Sequence, residues 1–86
     1  MRVERDPDGR DDAPGHRWGR WSVYDDAGRY LGPVVEHHVW ADSEWGPATY
    51  LVAHNPTGGP GAALWSSEGH ETIPEAMAAL EAWLSS

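Results

Sequence analysis

The chain has no cysteine, lysine, phenylalanine or glutamine. Without cysteine, neither a disulfide nor a thiolate metal site can staple its 86 residues, and thiol usage says nothing about compartment. No apolar run approaches the roughly 20 residues that a membrane-spanning helix needs. The opening stretch MRVERDPDGRDDAPGHR holds no apolar centre of a secretory signal, so a cytoplasmic location is expected. Positive charge is scarce as well: six Arg stand against fourteen carboxylates, for a net charge of −8. Absent Lys beside abundant Ala, Gly, Arg and Pro reads as the imprint of GC-rich bacterial coding sequence. It is therefore weak functional evidence.

Charge is also unevenly spread. Residues 18–86 carry only Arg20 and Arg29 against nine carboxylates. A nearly uniform acidic body opposes direct contact with a phosphate backbone, whose affinity comes largely from Lys and Arg. The same field keeps a protein soluble and speeds its approach to basic surfaces. What the chain does have is tryptophan, six in all, with three Tyr. With no Phe to fill a core, burial is the first expectation for any one of them.

The most legible element is residues 72–84, TIPEAMAALEAWL. Thr72 with Glu75 three residues later forms a capping-box pattern, and Pro74 falls in the first turn, where a missing N–H is harmless. Ile73, Met77, Leu80 and Leu84 recur on one helical face, with Ala76 and Trp83 flanking it. A one-faced helix of this length is not stable alone, so the remaining chain must supply a surface for it.

Residues 1–16 mix both charges with Pro and Gly and show no periodicity, which predicts a disordered tail before a single small domain over 17–86. WGRWSVY at 18–24 alternates like a strand, and the Asp25-Asp26-Ala27-Gly28 stretch reads as a hairpin loop. A strand over 29–31 is expected to break or bend at Gly32-Pro33. VVEHHVW at 34–40 places Val35, His37 and Val39 on one face and Glu36, His38 and Trp40 on the other. A connecting loop, ATYLVAH at 48–54, the turn NPTGGPG at 55–61 and a short strand over 62–66 complete the pattern. The fold class expected is α+β: three to four antiparallel strands with one C-terminal helix packed on one face.

One helix covers one face. The other is expected to expose aromatics as a docking surface, and the candidate partner-binding residues are Trp18, Tyr24, His38, Trp40, Tyr50 and Trp65. The register that decides which lie under the helix is open by one step in each strand.

The alternative chemistry is a metal site from His37, His38, His54 and His70. Adjacent strand residues point to opposite faces, so His37 and His38 cannot both ligate without a bulge. The order His37-His38, Asn55, His70 is similar to that of the His-Asn-His nucleases. It departs from them in placing its last His before the helix instead of within it, and in its acidic surface. Over residues 69–84 the strand-to-helix run with Thr-x-x-Glu-Ala is similar in outline to HicB-type antitoxins and to arm-binding domains of tyrosine recombinases. A capped helix is common to many folds.

No catalytic residue is expected. There is no Gly-x-Ser-x-Gly elbow, Asp25-Asp26 suits a turn, and the 55–61 loop lacks the Lys and following helix of a phosphate cradle. Aromatic stacking of nucleic acid remains a second alternative, disfavoured by the shortage of Arg. The expected function is a small acidic non-enzymatic interaction module without cofactor or membrane association. Its partner is a protein with a basic surface, or a second copy of itself.

Overall fold

A computed structural model describes the backbone of residues 1–86 and every side chain outside 8–11. Six strands and one helix follow in order: β1 (Arg2–Ala13), β2 (His16–Tyr24), β3 (Tyr30–Ala41), β4 (Glu44–Trp45), β5 (Thr49–His54), β6 (Trp65–Ser66) and α1 (Ile73–Leu84). All pairings are antiparallel, in the order β1-β2-β3-β5-β6, with β4 folded back on the end of β3. The α+β class and the single C-terminal helix therefore stand, but the sheet has six strands where three to four were expected.

The largest correction is at the N-terminus. Instead of a disordered tail, Arg2 to Asp6 pair residue by residue with Tyr24 to Arg20, and Asp12 and Ala13 pair with Arg17 and His16. The part of the expected tail at 8–11 lies outside the described side chains. Pro14 and Gly15 make the connecting turn, and Gly15 has φ +77. Pro followed by a positive-φ Gly is the signature of a type II turn.

β3 does not stop at Gly32-Pro33. The register slips there, with Val23 opposite Gly32 and Tyr24 opposite Tyr30, leaving Leu31 as the extra residue of a bulge. Gly32 has φ +149, and a Cβ on it would lie 1.8 Å from the Ala53 carbonyl oxygen. Only glycine lets the Leu31 carbonyl come close enough to accept from the Asn55 N–H at 2.9 Å. The segment after β3, expected as a loop, turns through Asp42 and Ser43, both with positive φ, so that Trp45 pairs with Trp40.

The helix forms as the pattern predicts. Thr72 is its N-cap and accepts from the Glu75 N–H at 3.2 Å. Its Ala76 and Leu80 are fully buried against Val23, Val34 and Val52, one residue from each of β2, β3 and β5. Leu84, assigned to the same face, is 39% exposed, so the seam ends one turn early. A 12-residue helix is about 18 Å long, whereas a 12-residue strand runs to roughly 40 Å. α1 lies mainly on β5. It therefore leaves two areas bare: the whole opposite face, and the far end of its own.

Candidate functional site: the two faces of the sheet

Cross-strand pairing settles which side chains share a face. Trp21 sits opposite Val34, and Val34 opposite Val52, which puts Trp21, Val23, Glu36, His38, Trp40, Tyr50 and Val52 on the helix side. Trp18 sits opposite His37, and Arg20 opposite Val35, which in turn faces Leu51. These, with His16, Pro33, Val39 and Ala53, form the helix-free face.

The six candidate residues therefore do not share one surface. Trp18 and Tyr24 lie on the helix-free face, where Tyr24 packs edge-on against Tyr30 at 5.9 Å and carries the Arg2 guanidinium over its ring at 4.8 Å. Trp65 lies under the helix end, stacked on Trp83 at 5.6 Å, so it serves the core. Tyr50 is half-buried on the helix side, and its backbone exchanges two 2.8 Å hydrogen bonds with His70. Burial, followed by hydrogen bonding to Glu36, holds the Tyr50 hydroxyl above its ordinary pKa. Trp40 shares that face beyond the reach of the helix. It is 48% exposed and meets Trp45 edge-on at 5.4 Å. His38 lies near it, with its Nδ1 2.9 Å from the Gly46 carbonyl oxygen. A carbonyl only accepts, so this nitrogen carries the proton.

The four histidines of the metal alternative are likewise spread out. His37 is on the helix-free face and His38 on the other, as alternation requires. His54 packs on Trp83 with its Nδ1 at 3.0 Å from the Leu31 carbonyl oxygen, and His70 lies at the bridge to Tyr50. Among the described residues no three His, Cys, Asp or Glu side chains are grouped to hold a metal ion.

The helix-free face has a well-defined centre. Trp18, Pro33, Val35, His37, Leu51 and Ala53 line an apolar depression of about 360 Å³. At one end His16, Trp18 and His37 hold their rings within 9° of parallel, with centroids 5.1 to 5.4 Å apart. His16 Nδ1 and His37 Nε2 are 3.0 Å apart, so one ring donates and the other accepts, an arrangement lost if both are charged. Among the residues with described side chains, the face carries Arg2, Glu4, Asp6 and Arg20 toward β1, two of each sign. Arg2 and Glu4 form an ion pair at 3.0 Å.

Sequence reasoning had not singled out His16, Pro33, Val35, Leu51 or Trp45. The signal for the first was the Pro14-Gly15 dipeptide, a turn marker that would have paired 1–13 with the strand after it. Val35 and Leu51 needed only the register.

No protein-family model matches the chain, and neither does a curated protein or a solved structure. Among the described residues, no helix is long and apolar enough to cross a membrane.

Proposed function

We propose that the chain is a non-enzymatic interaction module whose docking surface is the helix-free face, and that the occupant is a second copy of the chain. One observation carries the choice of occupant. The chain as a whole carries −8, yet the described sheet residues on this face balance at two Arg and two carboxylates around an uncharged centre. A second copy meets less like-charge repulsion here than an acidic body would otherwise impose. Rotated by two-fold symmetry, it can set Arg20 of one chain against Asp6 or Glu4 of the other. A strongly basic partner or a nucleic acid would instead be favoured by a rim of one sign.

Size supports a modest affinity. Four strands spaced about 4.8 Å apart, each contributing about six residues at 3.3 Å, give a patch of roughly 400 Å² in projection. That is about half of the ~800 Å² per partner in a standard interface, so a weak, micromolar-range dimer is expected. Stacking two such faces about 10 Å apart would make a sandwich with Trp18, Val35 and Leu51 in its interior. Trp18 is the expected anchor, because a large aromatic beside a pocket is the commonest hot spot.

The test is sedimentation equilibrium on the full chain from micromolar to near-millimolar concentration. A dimer that Leu51→Asp converts to a folded monomer, with an unchanged circular dichroism spectrum, supports the proposal. A chain that stays monomeric throughout sinks it. So does a dimer indifferent to Leu51→Asp, which would point to pairing along the exposed edge of β1.

A further inference from the structure

The far end of the helix-side face, where α1 does not reach, holds a second feature that owes nothing to the docking surface. Arg17 and Gly19 on β2 sit opposite His38 and Glu36 on β3, forming a square of four residues, and Arg5 reaches over it from β1. Together they line a polar pocket of about 180 Å³. Gly19 is its floor, and a Cβ there would stand 3.3 Å from both Arg5 Nη2 and Glu36 Oε2.

Both guanidiniums are held in place but not consumed. Arg17 lies over the Trp45 ring at 4.3 Å and Arg5 over Trp21 at 5.1 Å. Stacking of this kind fixes a planar cation while leaving its in-plane N–H donors free to point elsewhere. Their carboxylate contacts are long, 4.0 Å from Arg17 Nε to Asp12 and 3.9 Å from Arg5 Nη1 to Glu36. Arg17 Nε is buried and has no hydrogen-bond partner. The Arg17 side chain as a whole is 40% exposed and lines the pocket, so its terminal guanidinium nitrogens, not the enclosed Nε, are what a ligand can reach. Glu36 stands at the opposite wall, 3.6 Å from His38 Nε2. Being a carboxylate, it repels a second negative charge and accepts from a hydroxyl.

We propose that this pocket binds a small oxyanion that carries its own hydroxyl, such as hydrogen phosphate or an α-hydroxy carboxylate. The anionic oxygens bridge the Arg17 and Arg5 guanidiniums above Gly19, and the hydroxyl donates to Glu36. Fixed guanidiniums lower the ordering cost of binding, and the pocket is too small for a nucleotide.

The experiment follows the side-chain Nε–H resonances of Arg5 and Arg17 by nuclear magnetic resonance in the full chain. Inorganic phosphate, glycolate, acetate and chloride are added at matched ionic strength. Phosphate and glycolate should move the Arg17 resonance saturably, acetate more weakly and chloride not at all. Arg17→Gln should weaken glycolate binding by about tenfold or more, the usual cost of a lost charge-assisted hydrogen bond. Gly19→Ala, which narrows the floor without changing charge, should weaken it as well, and serves if Arg17→Gln does not fold. Shifts that only follow ionic strength, or glycolate binding unaltered in both folded variants, overturn the proposal. Acetate binding as tightly as glycolate overturns it too, since the ligand hydroxyl would then contribute nothing through Glu36.

Discussion

The two faces of this sheet come from the same strands, yet they were built to different ends. The helix side spends its small aliphatic residues, Val23, Val34 and Val52, in one sealed contact with Ala76 and Leu80. Across the same backbone, one residue out of step, the other side presents Trp18, Val35 and Leu51 to solvent. Leu80 is fully buried and Leu51 is 37% exposed. The apolar character of a strand residue therefore says little by itself. What matters is whether a second layer exists to receive it, and here only half of the sheet's apolar surface has one within the chain.

Truncating one leucine on each face breaks the comparison most directly. Leu80→Ala removes a side chain with no exposure from the centre of a five-residue core, and about 2 to 5 kcal/mol of stability should go with it. In a chain this small that is a large share of the total. Leu51→Ala removes a similar number of methylenes from a wetted site, and at dilute, monomeric concentration should cost under about 1 kcal/mol. Urea melts of both variants at low and high protein concentration test the pair. The gap between them should narrow at high concentration if the bare face is covered there. Equal costs under dilute conditions would mean that the two faces are not energetically distinct.

Legibility followed the same division. The helix could be read to within one residue because capping, period and propensity agreed over 72–84. Alternation over 34–40 set Val35 and His37 apart from Glu36 and His38, as observed. What alternation could not supply was the phase between strands, since that is set by turns. The Pro14-Gly15 turn was hidden by the charged residues around it, which mimic a solvated tail although β1 pairs through backbone groups that charge does not remove. The Asp42-Ser43 turn has positive φ at both residues without glycine, so no local signal announced it. What grouped Trp40 and Trp65 with Trp18, when the sheet itself lies between them, was the unforeseen bulge at Leu31: one extra residue after the 25–28 loop flips every later side chain of β3, and the strand paired to it, to the other face.

A smaller effect tests whether the covered face depends on the helix being delimited as well as packed. Thr72→Ala leaves the Glu75 N–H without its cap acceptor and should cost about 1 kcal/mol. Thr72→Asp should restore most of it, and the pair can be compared by thermal melts. Because α1 does not touch the helix-free face, neither variant should alter self-association beyond its effect on the folded fraction. A selective loss of dimer in Thr72→Ala would show that the two faces are coupled through the sheet.

The smallest and most local comparison uses one tyrosine from each side. Tyr30 is on the helix-free side and Tyr50 on the helix side, and burial is the first cause raising the hydroxyl pKa of both above the ordinary value of about 10. The second cause differs. Tyr30 is partly relieved by the positive charge of Arg20, whereas Tyr50 is raised further by its hydrogen bond to Glu36 and by that carboxylate's charge. A phenol whose folded-state pKa is raised favours the folded state while neutral. Its contribution is complete below the unfolded pKa and fades as pH rises through the folded value. Stability should therefore decline in alkali from about pH 10 upward. Glu36→Gln removes the charge but leaves the burial, so Tyr50 should ionise at lower pH than before while staying above the ordinary value. Tyr30, on the far side of the sheet, should not move. Ring-carbon chemical shifts followed against pH resolve the two residues. A shift of Tyr30 equal to that of Tyr50 would mean that the sheet does not insulate one face from the other.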